Sequence, residues 1–231
     1  GGLFRTTDFS GWKAFQYICI GIGLQYVAVL IYAVLKYVGQ GLGMEFPEVS
    51  FDYFQTGQST MLVLLYTCIL APITEELLFR GFLLKSLSVV STRFGVIVTA
   101  LLFGLMHGNV QQGILGVLVG LFLGKIVIRH NSLTPSILVH IALNTSSTLI
   151  SVLLALLPEN IGNVAILPLE FVVLAMAVMG VAFWFGKERK EPLPYPTQKQ
   201  ATRNRVFWSS PLLLLAFAAL LGLMVYHAMA V

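Results

Sequence analysis

Three charged residues stand close together in an otherwise apolar stretch of this sequence. Glu75, Glu76 and Arg80 are near neighbours and are flanked by Leu, Ile and Phe. A charged side chain at the centre of a membrane helix disfavours insertion by about 2.5–3.5 kcal/mol, so such residues default to functional candidates. This cluster therefore supplies the first candidates for catalytic residues.

Helical geometry divides the cluster into two roles. Glu76 precedes Arg80 by four residues, the order that favours an ion pair along a helix, and we expect this pair to be structural. Glu75 points to a different side of the helix and is left without a local cation. Two neighbouring carboxylates in a low-dielectric site disfavour double ionisation, which makes Glu75 the candidate general base or acid. A purely structural ion-pair staple would need only one carboxylate.

Two further residue pairs, each containing a histidine, follow along the chain. Phe103 and His107 are four residues apart, and so are His140 and Asn144. This spacing places each pair on one face of its predicted helix. A histidine at membrane depth can simply hydrogen-bond to a neighbouring helix, and it can also act on a substrate.

The composition excludes a conventional water-soluble enzyme. The chain has 231 residues, of which 57% are hydrophobic and 10% charged, whereas soluble domains average about 45–50% and about 25%. A membrane-spanning helix needs roughly 20 mostly apolar residues, and about seven stretches approach this length. They cover residues 12–38, 58–86, 94–107, 111–128, 134–156, 165–186 and 209–230.

The basic residues predict the orientation of these spans. With the N-terminus in the cytoplasm, nearly all of the 14 Lys and Arg residues fall on the inner side, as the positive-inside rule requires. The C-terminus is then outside, and residues 187–208 form a basic cytoplasmic loop next to lipid headgroups. Because topology accounts for the positive charge, no nucleic-acid partner is needed.

We therefore predict an all-α protein, a polytopic transmembrane helix bundle that forms a single membrane domain over residues 1–231. Gly116, Gly120 and Gly124 recur at every fourth position. Such spacing gives a helix a smooth face for close packing. We expect that face to pack inside the bundle and not to form a homodimer.

The polar motifs together resemble the CPBP family, also called ABI, which comprises CAAX prenyl endopeptidases of type II and bacteriocin-processing enzymes. The resemblance rests on Glu75-Glu76-x-x-x-Arg80, Phe103-x-x-x-His107 and His140-x-x-x-Asn144, in that order, within a catalytic core at residues 58–156. It implies an intramembrane endopeptidase of the glutamic type. Glu75 and His107 would activate water, His140 and Asn144 would form an oxyanion hole, and Glu76, Arg80 and Phe103 would support the site.

Other functions are open at this stage. Glu75, His107 and His140 could instead form a zinc site, although the sequence has no His-Glu-x-x-His pair and we expect no cofactor. A transporter or proton relay predicts two similar halves, and a non-catalytic immunity protein predicts the loss of a motif residue. Neither feature is present in the sequence.

The expected partners are membrane lipids and a peptide or lipidated-protein substrate. The compact length favours a bacterial cytoplasmic membrane as the location. The sequence does not specify the substrate or the oligomeric state.

Overall fold

The computed structural model describes residue 4 and residues 8–44, 60–157, 161, 164–186, 190, 193 and 198–229. Within these ranges the chain is all-helical and contains no strand. In chain order the helices are α1 (Gly11–Gly41), α2 (Thr60 to Ser88), α3 (Thr92–Leu105), α4 (Val110–His130), α5 (Thr134–Leu156), α6 (Leu167–Gly186), α7 (Gln198–Trp208) and α8 (Pro211–Met229).

The helices confirm the predicted fold class. Among the described residues, five helices are long and apolar enough to cross a membrane, namely Gly11–Gly41, Met61–Ser88, Val110–His130, Thr134–Leu154 and Leu167–Gly186. Helix α3 is shorter, and α8 covers the last predicted stretch. The number of spans and the orientation of the termini stay predictions.

The predicted span 94–107 is wrong at its C-terminal end, because α3 ends at Leu105 and His107 lies in the turn that follows. Gly108 in that turn has φ +72°, a backbone conformation that a residue without Cβ adopts readily. The apolar sequence pattern did not predict this helix end, because Met106 extends the apolar run up to His107.

The predicted basic loop is partly helical. Its described C-terminal part forms α7, and much of 187–197 lies outside the described residues. Asn204 on α7 accepts a hydrogen bond from the Ser91 hydroxyl at 2.9 Å. Because Ser91 also accepts from the Phe94 N–H and so caps α3, α7 is held at the start of that helix.

The predicted single membrane domain comprises two compact units. The first unit contains residues 1–23, 50–78 and 130–191, and the second contains residues 24–49, 79–129 and 192–231. The division falls inside α2, between Leu78 and Phe79. Each unit is described by itself below.

In the first unit, small residues bring α1 against α5 and α6. A Cβ added to Gly21 would lie 2.8 Å from Leu143 on α5, and one added to Gly23 would lie 3.2 Å from the Ala177 carbonyl on α6. At Gly180 on α6 the contact is with the backbone of Cys19. The first half of α1 therefore packs against the backbone of α6 at Gly23 and Gly180 and against the Leu143 side chain of α5.

In the second unit, α3 and α4 pack along the glycine stripe. A Cβ on Gly116 would lie 2.8 Å from Gly104 Cα, and one on Gly120 would lie 3.1 Å from Ala100 Cα. These contacts confirm the expectation that the stripe packs inside the protein. Val90, Phe94 and Val98 form a buried cluster nearby, with Leu87, Leu102 and Phe217 against it.

The close approach at Gly180 predicts a stability effect. We expect G180A to lower the free energy of unfolding by about 1–3 kcal/mol, because a methyl group cannot be placed there without moving a helix backbone. The measurement is the apparent Tm in detergent. G186A is the matched control, since nothing lies within 4 Å of a Cβ at Gly186. Equal Tm values for the two variants would contradict the packing described.

Candidate active site

The helix that carries the two glutamates changes its hydrogen-bond register. Segments Tyr66–Leu70 and Glu76–Leu84 are π-helical, and the α-helical segment Ala71–Glu75 separates them. π-Helical turns form i→i+5 hydrogen bonds and are frequent at functional sites. Pro72 is a local cause, because an interior proline lacks an N–H and clashes with the carbonyl four residues earlier.

The helix register differs from the one that the sequence predicted for this segment. We predicted the Glu76–Arg80 ion pair from α-helical geometry, and the segment from Glu76 to Leu84 is π-helical instead. Residues four apart lie on the same side of the helix in either register, so this register does not contradict the predicted pair. The ion pair itself stays a prediction.

The two neighbouring carboxylates lie in different environments. The Glu75 side chain is 20% exposed, whereas the Glu76 side chain is 0% exposed. A reacting water or substrate can therefore reach Glu75 more readily than Glu76. The contrast agrees with the division of roles predicted from the sequence, in which Glu76 is structural.

His140 contacts both carboxylates from α5. Its Nδ1 lies 3.2 Å from Glu76 Oε1, and its Nε2 lies 3.7 Å from Glu75 Oε2. When Glu76 is ionised its carboxylate can only accept, so the Nδ1–H group is then the donor of this hydrogen bond. Sequence reasoning missed this contact, because the two residues are 64 positions apart and no local spacing relates them.

Asn144 lies one turn beyond His140 on α5. Its Nδ2 donates a hydrogen bond to the backbone carbonyl of Thr67 at 3.0 Å. A primary amide has two N–H donors, so this bond fixes the plane of the side chain and leaves a second donor. Thr67 was absent from the predicted site, since a backbone carbonyl has no sequence signature.

Arg80 lies in the second unit and is fully buried. Its Nη2 donates to the Gly120 carbonyl at 3.3 Å, and its guanidinium carbon lies 4.4 Å from the centroid of the Phe103 ring. An aromatic ring within about 6 Å attracts a cation through its quadrupole. Phe103 was predicted as a supporting residue and has this contact, whereas Gly120 was not predicted.

His107 is oriented by a hydrogen bond to the C-terminal end of α3. Its Nδ1 lies 2.7 Å from the Phe103 carbonyl oxygen. A carbonyl can only accept, so Nδ1 carries the proton, and in the neutral ring Nε2 has the lone pair. His107 therefore presents a hydrogen-bond acceptor from a half-buried position.

The polar residues after His107 form the cap of the next helix. Asn109 Oδ1 accepts from the Gln112 N–H at 2.8 Å, and Asn109 Nδ2 donates to Gln112 Oε1 at 2.6 Å. A side-chain acceptor of this kind satisfies a first-turn N–H of α4. The turn between α3 and α4, which contains His107, is thus short and internally hydrogen-bonded.

The structure thus groups the predicted residues within each unit. The first unit brings together Glu75, Glu76, His140 and Asn144. The second unit groups Arg80, Phe103 and His107.

The zinc alternative stays a prediction. Glu75 and His140 supply two of the three ligands that this alternative needs. No group of three or more His, Cys, Asp or Glu residues in the described part of the chain is arranged to hold a metal ion.

Comparison with known proteins gives one match. Residues 57–146 match a family model described as Type II CAAX prenyl endopeptidase Rce1-like. The matched segment contains every predicted site residue and nearly coincides with the predicted core 58–156. Neither the curated proteins nor the solved structures gave a match.

The long apolar helices of the described residues, together with this match, define the class, an integral membrane protein. Over residues 57–146 the chain is similar to the type II CAAX prenyl endopeptidases, in agreement with the resemblance found in the sequence. The protein is accordingly a peptidase.

The Glu76–His140 contact predicts a loss of stability when Glu76 is truncated. We expect E76A to lower the free energy of unfolding by about 1.5–3 kcal/mol, because a buried hydrogen bond to a charged group is lost. The apparent Tm in detergent measures this change. E170A is the control, since Glu170 on α6 is exposed. A Tm equal to that of E170A would show that the contact contributes nothing.

Proposed function

We propose that the chain is an intramembrane endopeptidase of the glutamic type, which hydrolyses a peptide bond in a membrane-associated protein or peptide. The observation that supports this proposal is the imidazole of His140 between a fully buried and a partly exposed carboxylate. One carboxylate orients the ring, and the other is available to react. This asymmetry is what acid–base catalysis by a pair of carboxylates needs.

Glu75 acts as the general base. The 3.7 Å between its Oε2 and His140 Nε2 exceeds the length of a direct hydrogen bond, and one water can bridge such a gap. Glu75 takes a proton from a water, and the water oxygen attacks the carbonyl carbon of the scissile bond. The same carboxyl group then returns a proton to the leaving amine.

His140 and Asn144 form the oxyanion hole. The amide of Asn144 is held on the Thr67 carbonyl, and its second N–H donates to the oxyanion. When the His140 ring is doubly protonated, Nδ1–H donates to Glu76 and Nε2–H donates to the oxyanion. Donors held in place before the reaction are effective because they need no reorganisation in the transition state.

His107 assists Glu75 in orienting the water. The bond from its Nδ1 to the Phe103 carbonyl leaves Nε2 as an acceptor for a water proton. Arg80, Phe103 and Glu76 support the residues that react. These roles follow the motif positions of the family and the hydrogen bonds within each unit.

The proposed substrate is a peptide or a lipidated protein, with a prenylated CAAX tail as the first class to test because the family is described by it. We further propose a bacterial cytoplasmic membrane with the N-terminus inside. Contact of the basic segment 187–208 with anionic lipids belongs to the same proposal.

The central role of Glu75 predicts a large loss of activity without a loss of fold. We expect E75Q to lower kcat by about 10²–10⁴-fold, the usual contribution of a general base. The assay is cleavage of fluorogenic peptides, with and without a prenylated CAAX tail, by purified protein in detergent. E170Q makes the same change at an exposed position and is expected to retain full activity. Wild-type activity in E75Q would contradict the proposal.

The metal-free mechanism predicts resistance to chelation. We expect the wild-type rate to be unchanged after prolonged treatment with an excess of a zinc chelator, since no step needs a metal. Loss of activity that returns when zinc is added would establish the zinc alternative.

A further inference from the structure

The backbone carbonyl of Thr67 has an unusual donor. Carbonyl groups inside an α-helix accept from the backbone N–H four residues later. The Thr67 carbonyl instead accepts from Asn144 Nδ2, a side chain on another helix of the same unit, at 3.0 Å. The cause lies in the local structure of α2.

Two features of α2 keep helical donors from this carbonyl. In an α-helix its donor would be the N–H of Ala71, but that N–H donates to the Tyr66 carbonyl in the π-helical register. In a π-helix its donor would be the N–H five residues later, and that residue is Pro72, which has none. The Thr67 carbonyl is therefore open to the Asn144 amide.

The contact depends on the backbone and not on the Thr67 side chain. The Thr67 hydroxyl donates to the Val63 carbonyl at 2.8 Å, along its own helix. Pro72 is buried, so its ring is held in place beside the segment whose register it sets. The orientation of Asn144 is thus coupled to a proline on a different helix.

We propose that Pro72 is a positioning residue for Asn144. By withholding an N–H, it reserves the Thr67 carbonyl for one Asn144 donor, and this aims the second donor in a defined direction. The inference rests on the proposed function, in which the second donor stabilises the oxyanion. It explains why a proline stands three residues before Glu75, where it interrupts the helix that carries the reacting carboxylate.

A single substitution tests the coupling. P72A supplies a backbone N–H at this position. If the π-helical register persists, the new N–H takes the Thr67 carbonyl; if the segment becomes α-helical, the Ala71 N–H takes it. In both cases a backbone donor competes with Asn144, so the amide loses its anchor without any change to its own chemistry.

The experiment measures kcat and KM for a fluorogenic peptide with a prenylated CAAX tail. We expect P72A to lower kcat about tenfold with little change in KM, a smaller loss than deleting an oxyanion donor causes. In the N144A background, P72A should cause no further loss. This lack of additivity separates a role through Asn144 from a general structural role.

P135A is the matched control. Pro135 is also buried and also lies on a helix of the first unit, but it occupies the first turn of α5. An N–H there has no partner within the helix, so alanine introduces no competing donor. We expect P135A to retain the wild-type kcat.

A binding measurement provides a readout that does not need turnover. A phosphinic peptide carries a tetrahedral centre with an oxyanion, so its Kd reports the oxyanion hole directly. We expect P72A to raise this Kd by the same factor as it lowers kcat, and P135A to leave it unchanged. P72G supplies the same N–H and replaces P72A if that variant does not fold.

The outcomes separate this inference from the proposed function. Wild-type kcat and Kd in P72A, or an equal fold-loss in the N144A background, would overturn the role of Pro72. If E75Q is inactive and N144A is impaired in that case, the proposed function stands without the role of Pro72. Full activity in both E75Q and N144A would remove the proposed function as well.

Discussion

A carboxylate that is fully removed from solvent needs hydrogen-bond donors, and much of the first unit is arranged around this requirement at Glu76. Burial of an ionised group without partners disfavours folding by several kcal/mol. His140 on α5 supplies a donor at 3.2 Å. The contact holds α5 against α2, orients the imidazole, and sets its second nitrogen toward Glu75. One structural interaction thus also determines which atom of the ring faces the neighbouring carboxylate.

Helix irregularity gives the site its remaining geometry. A regular α-helix would satisfy its own carbonyl groups and would offer none to Asn144. The π-helical turn and the proline of α2 open one carbonyl at the position where α5 presents an amide. The second unit uses the opposite means, because close glycine packing between α3 and α4 brings the Gly120 carbonyl to Arg80. In each unit, a backbone acceptor holds a polar side chain.

The sequence predicted the helices and the polar residues far better than their contacts. Apolar length alone located each helix that could span a membrane, and the i, i+4 spacing correctly placed His140 and Asn144 on one helix. The π-helical register of Glu76–Leu84 was not predicted, because nothing in an apolar run distinguishes it from an α-helix. The Glu76–His140 and Asn144–Thr67 contacts join distant segments, one of them through a backbone atom, so no local pattern could predict them. His107 was predicted at the end of a span and instead lies in the turn after α3, since the apolar pattern continues past the helix end.

The proposed mechanism depends most on a protonated His140 Nδ1 that donates a hydrogen bond to Glu76. Nitrogen-15 NMR of histidine-labelled protein in lipid vesicles measures it directly, with His140 assigned by comparison with H140Q. The account predicts a protonated Nδ1 whose signal shifts in E76Q and is unchanged in E170Q. An unprotonated Nδ1, or a signal that does not respond to E76Q, would contradict the account.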